Sequence, residues 1–388
     1  MIRVGVISKG FRKNYLPKAG LRKSKKKINP KSLDYLVSLQ VCFKGQKYSE
    51  AISLCLAQLK TIEEKLGREN HYWMICSSLV ARTYILLNRP EDAEAHALET
   101  MALIDQKKEL FGGLSLFHRL TLMEVYRDLS RLDLAKKIME MILKDIQDHE
   151  VPSADGFDIV LTNCYNQCAR LCLQIHDFQK GEELAHRGLD LCQAHFSEEP
   201  VFYNHKYQDL FISLAACQGF QGKKEEFTQT VAKINPDDYP LLFLYTRAIG
   251  TRNFDNRQLE DAYWFFNQAI SLDDHIHTIP PEELGTCHLI ANGCLLQLGR
   301  YPEAENHARK ALNCFASDRE NQNPMAVLHG HLMLAQSLLH QNRIPIAMPS
   351  IEIALKIATD LKEPDILSEI KELITSHDLE EHFPGHFF

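Results

Sequence analysis

LGTCHLIANGCLLQLGRYPEAENHARKALNCF, residues 284–315, decides the fold of this chain. The stretch reads as two helices joined by a tight turn. The first predicted helix ends at Gly299, a residue type that readily adopts the left-handed conformation found where helices stop. In the second helix Ala304, Ala308 and Ala311 share one face, because residues three and four apart are neighbours on a helix. Three small side chains on one face predict that another helix approaches closely.

The hairpin recurs along the chain. We take as register mark the residue that lies just inside the second helix of each hairpin. The marks are Ala51, Ala93, Ala135, Gly181, Phe227, Ala262, Ala304 and Ala347, and their successive spacings are 42, 42, 46, 46, 35, 42 and 43 residues. Phe227 is the large exception among small residues. Since one hairpin cannot bury its apolar face alone, the pattern predicts about eight stacked hairpins over residues 32–360.

The two ends of the chain differ from this array. Residues 361–388 are predicted to form a capping helix, from about 365 to 376, followed by a short aromatic tail. Residues 1–31 contain eleven Lys or Arg and no acidic residue, although the whole chain has a net charge of −7. We expect a disordered basic arm. It is either a solvated tail or a nuclear-import or anionic-surface signal, centred on Arg22, Lys23, Lys25, Lys26 and Lys27.

Composition favours a protein of the cell interior. The eleven Cys are scattered without paired spacing, which suits a reducing compartment. No apolar run approaches the length of a membrane span, and the N-terminus lacks the apolar core of a signal peptide. We therefore predict a cytoplasmic protein, with a nuclear fraction if the basic arm is an import signal.

The repeats resemble tetratricopeptide repeats (TPRs). Residues 292–304, NGCLLQLGRYPEA, carry the closest match, and residues 81–84 with 90–93 carry another. The usual repeat has about 34 residues, whereas the longer period here, near 42, resembles the kinesin light chain type. The match is poor at Ser130 and His176, where glycine is usual. The resemblance implies an all-α, right-handed superhelical α-solenoid whose first helices line a concave groove for a peptide or a partner helix.

The resemblance also implies which residues face that groove. They are polar in the second to fourth repeats: Arg82, Glu124, Arg127, Asn163, Asn166, Gln167, Arg170 and Gln174. Asn and Arg side chains can bond a peptide backbone and pair with acidic side chains. The alternative is that they are ordinary solvated residues. The same rows are mostly apolar in the last repeats, at Leu289, Leu296, Leu332 and Met333. The family's carboxylate clamp is not recognisable, so binding of chaperone C-termini is not expected.

No motif indicates catalysis or a metal. The sequence has no phosphate-binding glycine loop, nucleophile elbow or zinc-protease motif. Cys164, Cys168 and Cys172 share one helix face, with Cys192 on the next helix, but Cys-x-x-Cys spacing is missing. A structural zinc needs four convergent ligands, so we interpret these residues as small apolar groups between helices. We expect no enzyme activity, no cofactor and no metal.

Two functions remain open at this stage. The first is a non-catalytic intracellular adaptor or scaffold that binds a peptide or protein in the groove. The alternative is a ligand-responsive regulator, in which a partner controls nucleic-acid or membrane association of the basic arm. A third hypothesis concerns the tail, where Phe383, Phe387 and Phe388 would dock on the last repeat or return to the groove as a plug.

Overall fold

A computed structural model describes residues 47–106, 112–148, 157–195, 200–317 and 323–383. Across these residues the protein consists of α-helices and two short 3-10 helices, without a strand, which confirms the predicted all-α class. The α-helices are α1 (Tyr48–Leu66), α2 (His71–Leu86), α3 (Pro90–Gln106), α4 (Gly112–Asp128), α5 (Leu132–Asp148), α6 (Phe157–Gln174), α7 (Phe178–His195), α8 (Pro200–Phe220), α9 (Lys224–Val231), α10 (Tyr239–Asp255), α11 (Leu259–Ile276), α12 (Pro281–Gln297), α13 (Tyr301–Ser317), α14 (Pro324–Leu339), α15 (Ile344–Leu361) and α16 (Pro364–Thr375).

The helices alternate as predicted. We call the first helix of a repeat helix A and the second helix B. Helices B are the eight odd-numbered helices, α1 to α15. They begin at residues 48, 90, 132, 178, 224, 259, 301 and 344. Each register mark is the fourth residue of its helix B, and all eight marks are buried. The long period of the repeat is therefore a property of the structure. Helix A of the first repeat lies outside the described residues.

The turn from helix A to helix B has one geometry throughout. Five residues before each of the last seven marks, the backbone adopts a left-handed conformation with φ between 56° and 75°. These residues are Asn88, Ser130, His176, Gly222, Arg257, Gly299 and Asn342. In six of these turns the next amide bonds to the carbonyl five residues earlier, as Arg300 does to Leu295 at 2.8 Å. This bond belongs to the Schellman motif, which satisfies carbonyls left free at a helix end.

Asparagine side chains cap two helices A. The Asn70 carboxamide accepts hydrogen bonds from the amides of Tyr72 and Trp73, both at 3.0 Å. Asn323 accepts in the same way from Met325, at 3.1 Å. Each cap satisfies amides that have no partner inside the helix. The Asn residues thus fix where α2 and α14 begin.

The chain divides into two compact units, residues 1–221 and 222–388, which we call unit 1 and unit 2. In unit 1, consecutive helices from α1 to α8 pack against one another, and helices A also pack side by side, α2 on α4, α4 on α6 and α6 on α8. The marks lie inside this packing: Ala51, Ala93 and Ala135 are fully buried. A Cβ added at Gly181 would lie 2.7 Å from the sulfur of Cys217. Small residues are therefore required where helices meet most closely.

Unit 2 begins with a truncated repeat. Helix α9 has 8 residues, whereas helices B elsewhere have 17 to 19. The 35-residue spacing after Phe227 follows from this shortening. Phe227 is only 1% exposed and meets the rings of Trp264 and Phe265 edge-on, with centroids 5.7 and 5.5 Å away. A large ring thus fills space in a repeat whose second helix has lost two turns.

The C-terminal end of unit 2 is closed by α16 and the residues after it. The observed helix, Pro364–Thr375, agrees with the predicted cap. Its Ile370 and Ile374 join the apolar cluster of the last repeat, and so do Leu379 and Phe383. Phe383 is 5% exposed. Phe383 thus packs on the last repeat, one of the two places that the tail hypothesis gave it, whereas Phe387 and Phe388 lie outside the described residues.

Candidate functional site

The eight predicted groove residues lie on three neighbouring helices A of unit 1. Arg82 is in α2, Glu124 and Arg127 are in α4, and the other five are in α6. Because α2 packs on α4 and α4 on α6, side chains on the same side of these helices can meet. We call this side the polar face. The following contacts show which of its residues touch and which point to solvent.

The first contact joins α2 to α4. The Arg82 guanidinium lies 3.2 Å from the Glu124 carboxylate. It also sits 5.9 Å from the ring centroid of Phe117, in the range of a cation–π contact. Glu124 is buried, with 7% of its surface exposed, while the Arg82 side chain is 36% exposed. Arg82 therefore neutralises a buried carboxylate and still presents part of its surface.

The second contact joins α4 to α6. Nη1 of Arg127 donates to Oε1 of Gln167 at 2.8 Å, and Nε of Arg127 is 3.3 Å from the Asp128 carboxylate. The Arg127 side chain is 8% exposed, and Gln167 is also 8% exposed. Arg127 and Gln167 thus lie between two helices. They stabilise the packing of α4 on α6 and expose little surface to a ligand.

The third contact joins α6 to α8. Oγ of Ser213 donates to Oδ1 of Asn166 at 3.3 Å, and Asn166 is fully buried. Nδ2 of the same Asn166 amide has no hydrogen-bond partner among the described residues. A buried amide donor without an acceptor is costly. Asn166 therefore has donor capacity that the fold does not use.

The remaining predicted residues are more accessible. Asn163 and Arg170 are half-buried, and Gln174 is exposed. Together with Arg82 they form the accessible part of the polar face, whereas Glu124, Arg127, Asn166 and Gln167 form its packed part. The structure brings the packed residues into contact. It places the accessible ones on α2 and α6, where no hydrogen bond or ion pair joins these described residues to one another.

Sequence reasoning missed several partners of this face. Oγ of Ser78 in α2 is hydrogen-bonded to Nδ1 of His118 in α4. Ser213 was missed as well. The signal is the register, since Ser78 and Asn166 each lie fifteen residues before their marks, Ala93 and Gly181. Comparing equal register positions on successive helices A would have indicated Ser78. Ser213 lies fourteen residues before Phe227, so the register gave no signal for it.

The corresponding face of unit 2 is apolar, as the sequence indicated. Leu289, Leu296 and Met333 are half-buried and Leu332 is buried. Gly293 lies on α12 among them, and a Cβ added there would meet no atom within 4 Å. Four polar residues accompany them: Gln297 and His340 are exposed, and His329 and Gln336 are half-buried. In unit 2 the face offers shape and apolar surface, with few polar groups.

The cysteines of α6 are core residues. Cys164, Cys168 and Cys172 are each 0% exposed, and so is Cys192 in α7. Burial raises the pKa of the Cys164 and Cys172 thiols to about 12 and that of Cys192 to about 11. Such thiols stay protonated at neutral pH and behave as small apolar groups. In the described part of the chain, no three His, Cys, Asp or Glu side chains are grouped so as to hold a metal ion.

Two further features bear on function. The basic arm, with Arg22, Lys23, Lys25, Lys26 and Lys27, lies outside the described residues. Among the helices that are described, none has both the length and the apolar character needed to cross a bilayer. The polar face of unit 1 thus remains the candidate site.

Comparisons with known proteins show the fold. No protein-family model matches the chain, and no curated protein does. Among solved structures, the apo form of RapI gives a TM-score of 0.51 with 14% identity, covering 90% of this chain and 83% of that one. The nearly identical TPR-like repeats of a kinesin light chain-like protein from Podosopora anserina give 0.41 with 17% identity, covering 53% and 95%. The C-terminal part of a TPR repeat-containing protein from Cytophaga hutchinsonii gives 0.41 with 12% identity, covering 72% and 95%.

At such identities the similarity concerns the fold alone. The chain is a helical-hairpin repeat protein, as its alternating helices and buried marks already indicated. Its repeats have the tetratricopeptide fold, so the predicted resemblance is confirmed.

Proposed function

We propose that this protein is a non-catalytic adaptor or scaffold of the cytoplasm, which binds a peptide or protein partner along the polar face of unit 1. In the intact chain this face would line the concave groove of a TPR superhelix. One observation carries the proposal: polar side chains remain accessible on the two helices A that flank α4, namely Arg82 on α2 and Asn163, Arg170 and Gln174 on α6. Arg82 and Arg170 occupy the same register position, eleven residues before their marks.

The spacing of the helices supports a long ligand. Packed helices lie 8 to 10 Å apart as a rule, so the accessible side chains of α2 and α6 are distributed over more than one interhelical distance. An extended peptide can contact them in turn, and arginine and amide side chains suit its carbonyl and carboxylate oxygens. The packed residues support the same proposal, because their contacts keep the face rigid before a partner arrives.

The adaptor hypothesis is favoured over the alternative. A ligand-responsive regulator would act through residues 1–31, which lie outside the described residues, so no observation on the structure speaks for it. The proposal of a cytoplasmic location rests on the cysteines, since ten described Cys are free thiols, the state expected in a reducing compartment.

The test is affinity capture of the full-length chain from its native cells, followed by mass spectrometry. We compare the wild type with Arg170→Glu, which reverses one accessible charge of the polar face. Arg127 is less suitable, because its side chain is 8% exposed and bonded to Gln167, so its loss would disturb packing. The matched control is Arg187→Glu in helix B α7, where the side chain is 46% exposed and pairs with Glu183.

We expect Arg170→Glu to lose partners that both the wild type and Arg187→Glu retain. Circular dichroism at increasing temperature checks that the variants are folded. If all three proteins recover the same partners in the same amounts, the polar face is not the binding surface and the proposal is wrong.

A further inference from the structure

Arg170 differs from every other arginine in the described part of unit 1. Each of the others has a carboxylate or amide oxygen within hydrogen-bond or ion-pair distance. Those arginines are Arg68, Arg82, Arg89, Arg119, Arg127, Arg131 and Arg187. Arg170 has no such acceptor among the described residues, although it is half-buried in the middle of the polar face. A partly enclosed guanidinium without an acceptor forgoes its strongest interactions.

The repeat register explains why the acceptor is missing. Arg82 and its acceptor Glu124 both lie eleven residues before their marks, Ala93 and Ala135. Arg170 lies at the same position before Gly181. The equivalent position on the next helix A, eleven residues before Phe227, is Ala216. Where the earlier pair of repeats supplies a carboxylate, this pair supplies a methyl group, which accepts no hydrogen bond.

The acidic residues of the polar face are already engaged. Glu124 pairs with Arg82 at 3.2 Å, and Asp128 pairs with Arg127 at 3.3 Å. Arg170 acts on the Asp128 carboxylate through its charge alone, from beyond ion-pair distance. One turn before Arg170, the buried Nδ2 of Asn166 also lacks an acceptor among the described residues. Because Asn166 is fully buried, Arg170 is the donor of this pair that a ligand can reach. It complements a ligand that brings acceptors and negative charge.

We propose that Arg170 is the anchor for an aspartate or glutamate side chain of the bound peptide, so that the partner supplies the acceptor which Ala216 does not. The proposal rests on the peptide-binding function inferred above. Arginine suits this role because its planar group bonds a carboxylate through two parallel hydrogen bonds. A peptide's C-terminal carboxylate has the same chemistry, and the experiment separates it from a side chain.

The experiment uses a library of short random peptides with amidated C-termini, selected on the full-length protein. Amidation removes the terminal carboxylate, so any enriched acid is a side chain. Wild type, Arg170→Gln and the control Arg187→Gln are selected in parallel. The affinity of an enriched peptide, and of its copy with Asp→Asn or Glu→Gln, is then measured on each protein by fluorescence anisotropy.

We expect one acidic position to be enriched on the wild type and on Arg187→Gln. Removing the acid from the peptide, or the guanidinium from Arg170, should each weaken binding about ten- to hundredfold. The two changes together should cost little more than one, because they remove the same contact. Arg170→Lys should restore only part of the affinity, since an ammonium does not reproduce the bidentate geometry.

The outcomes separate the two proposals. Enriched peptides that are neutral, or whose acid contributes equally to Arg170→Gln and the wild type, overturn the anchor role of Arg170 and leave peptide binding standing. A parallel library with free C-termini completes the test. If neither library yields an enriched peptide on the wild type, peptide binding itself is overturned, and the anchor with it. Enrichment from the free-terminus library alone shows that the ligand is a terminal carboxylate and overturns the side-chain anchor.

Discussion

Unit 1 and unit 2 contain the same hairpin but differ in what joins their helices A. Arg127 in unit 1 and Leu296 in unit 2 both lie eight residues before their marks. Asn166 and Leu289 likewise both lie fifteen residues before theirs. Arg127 bonds to Gln167 on the next helix A, and Asn166 bonds to Ser213. On α12 and α14 of unit 2 these positions hold leucines. On α10 they hold Phe254 and Arg247, and Arg247 pairs with Glu283 of α12.

The difference shows that stacking does not require polar contacts. Leucines bury apolar area with no hydrogen bond to satisfy, whereas a polar group buried between helices must find a partner or lose stability. Since α12 and α14 stack with leucines at these two positions, the polar residues that unit 1 has there are not dictated by the fold. A surface function explains them better than stability does, which is why the candidate site lies in unit 1.

The buried polar groups of unit 2 join α12 both to its own helix B, α13, and to the next helix A, α14. Nδ2 of Asn292 on α12 donates to the carbonyl of Ala304 at 2.7 Å and to Oγ of Ser337 at 3.0 Å. Beside it, Nδ1 of His288 lies 2.9 Å from Nδ1 of His307 on α13. The His288–His307 pair holds one hairpin together, whereas the Asn292–Ser337 bond joins two helices A. The two units should therefore respond differently to the same perturbation.

Acid should destabilise unit 2 the most. His288 and His307 are 4% and 7% exposed, and burial lowers the pKa of His288 to about 3 and that of His307 to about 4. Histidine in an unfolded chain has a pKa near 6.5. Above that pH both states are neutral and the pair contributes no pH dependence. Below it the unfolded chain binds protons first, so stability falls by about 2–4 kcal/mol between pH 7 and pH 5.

Hydrogen exchange measured peptide by peptide checks this, because two units need not unfold together. We expect amides of α12 and α13 to lose protection between pH 6.5 and 5, after correction for the intrinsic exchange rate. His288→Leu removes one titrating group and should make the loss about half as steep. Equal loss of protection in unit 1 and unit 2 would contradict the assignment.

The largest polar effect in unit 1 should come from Arg119 in α4. Its side chain is 3% exposed and pairs with Asp145 of α5, and its guanidinium is 3.7 Å from Asp105 of α3. Arg119→Met keeps the apolar stem and leaves two carboxylates without their cation. Complete burial would make the loss about 3–5 kcal/mol. Because the Asp145 side chain is 30% exposed, we expect about 2 kcal/mol.

Urea unfolding followed by hydrogen exchange measures this loss in α3, α4 and α5. The control is Arg131→Met. The Arg131 side chain is 47% exposed and pairs with Glu94. Such a surface pair contributes less than about 1 kcal/mol. A loss for Arg119→Met no greater than that of the control would show that the buried cation does not join the three helices.

The repeat was predictable from sequence because it is local. Small residues recurring near every 42 positions identify the helices that approach most closely, and all eight marks are buried at the fourth position of a helix B. Helix ends were predicted to within a few residues, because proline, glycine and asparagine act on the backbone next to them. Only the irregular spacing around Phe227 indicated the short helix α9.

The site was harder to predict, because it depends on contacts between repeats. The register placed Arg82, Glu124 and Arg127 on one face, but it could not tell that Arg127 would be enclosed and bonded to Gln167. Exposure depends on the neighbouring side chains of two other helices, forty or more residues away. The division into two units was not predicted either, since the repeat pattern continues across residue 221.

The turns offer the smallest effect, and one that should be the same in both units. Ser130 in unit 1 and Arg257 in unit 2 have φ of 58° and 59°, where the sequence comparison expected glycine at Ser130. A side chain in this conformation costs roughly 1–2 kcal/mol. Replacing it with glycine removes that strain but makes the unfolded chain more flexible, at a cost of about 0.5–1 kcal/mol. We expect Ser130→Gly and Arg257→Gly each to raise the free energy of unfolding by about 0.5–1 kcal/mol.

The reverse change, Gly299→Ser, should lower the free energy of unfolding by a similar amount, because Gly299 has φ of 72° and a side chain there meets open space. The change in the free energy of unfolding then reflects backbone strain alone, without a steric clash. Urea unfolding of the three variants measures the differences. The stabilisation by Ser130→Gly is compared with that by Arg257→Gly. If they differ by more than the destabilisation by Gly299→Ser, contacts specific to each unit, and not the shared turn geometry, set the stability of these hairpins.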